Sequence, residues 1–136
     1  MSVLVQPVAQ QFVAQLWPQV EPFIAKAEKH GGGDYNMDQI KMYLHMGMWW
    51  LVVVTKGEEL VGAVTGTFIS YPNDRVAFIT TTGGEELCND DALAQLKQIL
   101  KAQGATKIQA ACRESMVRLL QKIGFSPRYM VVETGI

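Results

Sequence analysis

With 136 residues, 49% of them hydrophobic and 18% charged, the chain is long enough for one domain around one buried core and too short for two ordinary ones. Lys and Arg number 12 against 13 Asp and Glu, a formal net charge of −1, which argues against the positive field that gathers nucleic acid or acidic membrane surfaces. No apolar run approaches the roughly 20 residues that cross a bilayer, and residues 1–7 lack the basic start and apolar core of a secretion signal, so a cytoplasmic protein is expected.

The first element is a short strand, Val3-Leu4-Val5, ended by Pro7, which cannot donate to a ladder. From Val8 to about Lys29, Phe12, Val13, Leu16, Val20, Phe23, Ile24 and Ala27 recur at spacings of three and four, the mark of an amphipathic helix. Pro18 and Pro22 each remove an intrahelical bond, so two shorter helices or one kinked near Trp17 are expected. His30-Gly31-Gly32-Gly33-Asp34 stops that helix in a mobile loop. Asn36 with Gln39 three residues on reads as a capping box for a second helix that ends at Gly47.

Aromatic and β-branched residues then dominate. Residues 49–54 and 60–69 form a hairpin about the charged turn at 56–59, and Tyr71-Pro72-Asn73-Asp74 turns the chain into a third strand over 76–82. Asn89-Asp90-Asp91 opens a helix to about Ala102, stopped by Gly104. A strand over 107–112, a short helix over 114–123 and a last strand over 128–133 complete the chain.

Cys88 and Cys112 are too far apart for a CxxC motif, and His30 and His45 form no ligand pair with each other or with the cysteines, so no metal site is expected. The seven methionines and Trp49-Trp50 read first as core, although an exposed patch at Met42, Met46 and Met48 would mark a partner surface.

The order of elements, with Leu119-Leu120-Gln121-Lys122-Ile123-Gly124-Phe125 and the closing Tyr129-Met130-Val131-Val132-Glu133, resembles the GNAT superfamily of N-acyltransferases over nearly the whole chain. Among its members the chain is most similar to short GNAT-like proteins of tailed bacteriophages. The resemblance implies an α+β fold of about six mostly antiparallel strands flanked by about four helices, with acetyl-CoA or another acyl-CoA as cosubstrate. It also implies a small-molecule or protein amine as acceptor.

In such proteins the coenzyme lies along the fourth strand, which maps to Ile79, Thr80, Thr81 and Thr82, with its pyrophosphate on the segment that joins this strand to the next helix, here Thr82-Gly83-Gly84-Glu85-Glu86-Leu87-Cys88-Asn89-Asp90-Asp91. The double glycine could admit a phosphate to backbone amides, or could simply make a turn. Glu85, Glu86, Asp90 and Asp91 would repel that phosphate, and the family's Gln/Arg-x-x-Gly-x-Gly spacing is absent. The family's Asn maps to Arg113, a candidate phosphate contact or a solvated charge. Its general-acid Tyr maps to Leu120, which has no proton to give, so Cys112, Ser115 or water would have to serve. The acceptor would meet His30, Asp34 and Tyr35, while Glu58, Glu59 and Glu114 sit where carboxylates are ordinary, and no catalytic residue can be named.

Three readings stand. An active or cofactor-binding enzyme requires the fourth and fifth strands to splay. A protein that has lost catalysis and serves as an interaction or virion-associated module predicts that cleft filled by Leu120, Phe78 or their neighbours. Another small α+β binding domain is the third.

Overall fold

The computed structural model describes residues 2–29, 33–84 and 89–136. Five strands stand side by side in chain order: β1 (Leu4–Val8), β2 (Trp50–Lys56), β3 (Glu59–Ser70), β4 (Arg75–Gly83) and β5 (Lys107–Ala110). All neighbours are antiparallel except β4 and β5, which are parallel. A parallel pair needs a crossover, and α3 (Asp90–Ala102) supplies it. The fold class is therefore α+β, as the resemblance implied.

Strand β2 shows why its sequence is so uniformly apolar. Leu51 and Val53 face α1 (Val13–Lys29) and α2 (Met37–His45), while Val52 and Val54 face α3, and all four are buried. On the first face Val13, Trp17, Val20 and Ile24 of α1 meet Ile40 and Leu44 of α2; on the second, Ala92, Leu96 and Leu100 of α3 meet Val64 and Ala77. Each of the Val, Leu and Ile side chains among these contributes about 1.5–3 kcal/mol by leaving water.

Several expectations change in detail. β1 runs through Pro7, which stands opposite Val52 at the edge of the sheet, where a missing amide costs no ladder bond on the outer side. Helix α1 is continuous despite its two prolines, after a single 3₁₀ turn at Gln10–Phe12. Pro18 and Pro22 are both exposed, so the carbonyls they leave unbonded, those of Ala14 and Pro18, can be met by water. The Asn36–Gln39 capping box is present in both directions, at 2.9 and 3.0 Å.

The largest difference lies at the C-terminus. Helix α4 (Glu114–Gln121) has no buried residue, and residues 128–133 form no strand, so the sheet has five strands instead of about six. Strand-forming composition is not enough by itself: residues 128–133 join no ladder of the described sheet, although Arg128 and Tyr129 lie near Lys107 and Gln109 of β5.

Candidate functional site

Strands β4 and β5 are fastened at their beginnings. The Asp74 carboxylate accepts a hydrogen bond from Thr106 Oγ1 at 3.0 Å and pairs with Lys107 Nζ at 3.2 Å. Thr106 N donates to the Arg75 carbonyl at 2.8 Å, and Arg75 Nε donates to the Gln103 carbonyl at 3.2 Å with its guanidinium 4.1 Å above the Phe68 ring. The bonds from Lys107 and Thr106 hold the Asp74 carboxyl below its ordinary pKa.

From that anchor the strands run together for four pairs, Val76 with Lys107 through Ile79 with Ala110, and pairing then stops. β4 continues to Gly83 beside β3 alone, so from Thr80 onward its other side has no strand partner among the described residues. The parting coincides with an irregularity in β4. Thr81 stands opposite Thr65 and Ile79 opposite Gly66, which leaves Thr80 as an extra residue, a β-bulge. Adjacent strand residues normally point to opposite faces; here Thr80 Oγ1 and Thr81 Oγ1 both reach Thr65 Oγ1, at 2.7 and 2.6 Å. Thr65 is fully buried, so this shared hydroxyl satisfies a polar group inside the sheet and fixes the bulge.

The two glycines that end β4 have steric causes. A Cβ on Gly83 would overlap the Phe23 carbonyl of α1, and one on Gly84 would overlap the Val61 carbonyl, with Gly84 also at φ +109°. Gly83 therefore lets α1 lie directly on the strand, and Gly84 turns the chain out of it. Glu85, Glu86 and Cys88 lie outside the described residues, and Asn89 caps α3 by accepting from the Ala92 amide at 2.7 Å.

Across the parting, Arg113 is exposed at the start of α4, three residues beyond the end of β5. Leu120 and Phe78 are each partly exposed, and Leu120 belongs to a helix with no buried residue. The acceptor candidates are dispersed. His30 lies outside the described residues, Asp34 is exposed, and the Tyr35 ring packs edge-on against Trp49 at 4.8 Å, with Tyr43 stacked on the same indole at 5.0 Å. Burial, then the nearby Asp34 and Tyr43, push the Tyr35 hydroxyl above its ordinary pKa. Sequence reasoning missed the Thr65–Thr80–Thr81 cluster; three consecutive threonines opposite a fourth were the available signal, but only strand register makes them converge.

A cavity of about 380 Å³ opens elsewhere, between the β1–α1 junction and the end of α3, lined by Pro7, Gln10, Trp49 and Gln103 among others. It contains none of the predicted site residues. Among the described residues there is no cluster of metal-ligating side chains and no helix long and apolar enough to cross a membrane.

No model of a protein family and no curated protein matches the sequence. Solved structures do match its shape. An aminoglycoside acetyltransferase from an uncultured soil metagenomic sample, in complex with trehalose, superposes with a TM-score of 0.70 at 9% identity, covering 98% of this chain and 95% of that one. A second aminoglycoside acetyltransferase from an uncultured soil metagenomic sample gives 0.69 at 16% identity, over 100% and 99%. A predicted acetyltransferase with acetyl-CoA from Clostridium acetobutylicum gives 0.62 at 14% identity, over 98% and 96%. These superpositions cover nearly the whole chain, the five-stranded sheet included. The chain has the GNAT acetyltransferase fold.

Proposed function

We propose that the chain is an acyl-CoA-dependent N-acyltransferase acting on a small amine. The observation that carries this reading is the end of β4–β5 pairing at Ile79 and Ala110 directly before the bulge at Thr80. An exposed strand side offers alternating amides and carbonyls, and the pantetheine arm of coenzyme A, itself an extended chain of amides, can pair with it as an added strand does. In this reading Ile79, Thr80, Thr81 and Thr82 hold that arm. Gly83, Gly84 and the α3 amino end lie nearest the pyrophosphate, and Arg113 offers it a cation from the other side.

The acceptor nitrogen attacks the thioester carbonyl carbon, the C–S bond breaks, and the departing thiolate takes up a proton as the amine loses one. β4 carries no titratable side chain beyond Arg75, so the amine must enter neutral or lose its proton to water or to another element. Leu120 cannot protonate the thiolate; Cys112 and Ser115, exposed in the β5–α4 connection and first turn of α4, or water, take that part. The two metagenomic structures are named for aminoglycosides, polyamines of small size, which supports the same acceptor class here. Asp34 is the side chain that would attract such a cation.

Leu120 also favours a second reading, a GNAT-fold protein that has lost transfer and serves as an interaction or virion-associated module. Isothermal titration with acetyl-CoA, with desulfo-CoA as an unreactive ligand, separates the two. Saturable binding to both ligands is expected, reduced at least tenfold by Ala110→Trp, which fills the apex of the parting at an exposed position. A folded protein that binds neither ligand at millimolar concentration would sink the enzyme reading.

A further inference from the structure

The acyl transfer proposed above leaves two protons to place, the one the amine loses and the one the thiolate gains. Beyond Arg75 at its start, β4 offers no titratable side chain, and Leu120 has no proton to give. The hydroxyls at the bulge supply a group that can do both. Thr65 Oγ1 lies 2.7 Å from Thr80 Oγ1 and 2.6 Å from Thr81 Oγ1, so three hydroxyls with three hydrogens share two hydrogen bonds. One hydrogen is left over, and burial decides which.

Thr65 is fully buried, and these two contacts are its hydroxyl's hydrogen bonds among the described residues, so it must donate along one and accept along the other. Thr81 is buried as well, and a hydrogen left over there would find no acceptor among the described residues. Thr80 is partly exposed. Thr81 therefore donates to Thr65, and Thr65 to Thr80. Thr80 is left with a free O–H and one free lone pair, and the bond it accepts polarises that O–H.

The place of this hydroxyl matches the reacting bond. In the proposed reading the pyrophosphate lies near Gly83, Gly84 and the α3 amino end, so the pantetheine runs back along β4 and brings the thioester to the point where β4 and β5 meet, at Ile79 and Ala110. Thr80 is the first residue of β4 beyond that point. Ala63, two residues before Thr65 on β3, belongs to the core under α1 and α2, so the three hydroxyls lie on that face, the one against which Tyr35 packs.

We infer that the Thr80 hydroxyl carries both protons of acyl transfer, in place of Cys112, Ser115 or water; the inference rests on the acyltransferase reading. The amine enters neutral from the Tyr35 face. As its nitrogen bonds to the carbonyl carbon, its proton moves to the free lone pair of Thr80 Oγ1; as the C–S bond breaks, the original Thr80 hydrogen moves to sulfur. An N–H and an O–H break, an O–H and an S–H form, and Thr80 is again a hydroxyl when the amide and the CoA thiol leave. Thr65 and Thr81 are positioning residues, which keep the free hydrogen of Thr80 directed out of the cluster.

Acetyl transfer from acetyl-CoA to ethylenediamine and to an aminoglycoside, read as CoA release with a thiol reagent, tests this beside calorimetric titration with desulfo-CoA. Thr80→Val keeps the β-branched shape and the backbone that pairs with the pantetheine. It is expected to lower kcat about a hundredfold while desulfo-CoA binds with wild-type affinity. Thr80→Ser, which retains the hydroxyl, is expected to recover most of that loss. Thr65→Val, which leaves Thr80 without its donor, should lower kcat about fivefold, the worth of one hydrogen bond. Wild-type transfer should slow in heavy water, since two protons are in flight, and the residual rate of Thr80→Val should not. A folded Thr80→Val protein that transfers at the wild-type rate overturns the inference and leaves the acyltransferase reading standing, as does a Thr80→Ser protein as slow as Thr80→Val. Wild-type protein that binds acetyl-CoA but acetylates neither amine, or shows no isotope effect, also overturns the shuttle. If it binds neither acetyl-CoA nor desulfo-CoA, the acyltransferase reading falls with it.

Discussion

Gly83 is read most naturally as a concession to a ligand, yet its nearest neighbour is protein. The Phe23 carbonyl occupies the place a Cβ would take, so Gly83→Ala must push α1 away from β4 or bend the strand. Overpacking of this kind costs about 1–3 kcal/mol, and urea unfolding should show a loss in that range even without any ligand. Asp74 acts at the other end of the same strand. Its folded pKa is depressed, so the stability it confers is present above the ordinary value of 3.8 and is lost as pH falls below that value through the lower folded one. An acid titration followed by circular dichroism should show this component in the wild type and a smaller one in Lys107→Met, which removes the first cause of the depression and leaves the Thr106 bond in place.

Among the elements, β1 and α3 show how one side chain can decide the fate of a strand. Gln95 takes up both a donor and an acceptor of β1 and also reaches Asp91 Oδ2 at 3.2 Å. Gln95→Ala is expected to cost about 1–3 kcal/mol, because a paired amide and carbonyl lose their partners together. The same variant should speed amide exchange at Val5, which a purely helical effect on α3 would leave unchanged. Helix α1 makes the complementary point. Its buried stripe of Val13, Trp17, Val20 and Ile24 keeps the helix whole across Pro18 and Pro22, because both prolines lie on the wet side.

At the scale of the whole molecule, the cleft comes from the way the chain leaves β5 after four residues. Up to Ile79 and Ala110 the Asp74–Thr106–Lys107 anchor and α3 hold the parallel pair together; beyond it β4 is committed to β3 and β5 has ended. The free side of β4 is what an acyl-CoA would use in the proposed reading.

The elements up to β5 were legible because each states itself locally: the capping box at Asn36, the apolar run of β2, the turn at Tyr71–Asp74, the Asn89 cap. That β2 is buried on both faces, by α1 and α2 on one and α3 on the other, emerged only with the packing. What the sequence could not state was everything that depends on alignment between distant residues. The bulge at Thr80 exists only as a register between β3 and β4, and the role of Gly83 only as a contact with α1. Residues 128–133 have strand composition whether or not an edge is available, so composition alone predicted a sixth strand that the single chain does not form. Local propensity chooses among conformations of a segment; only tertiary packing supplies the partner that makes one of them stable.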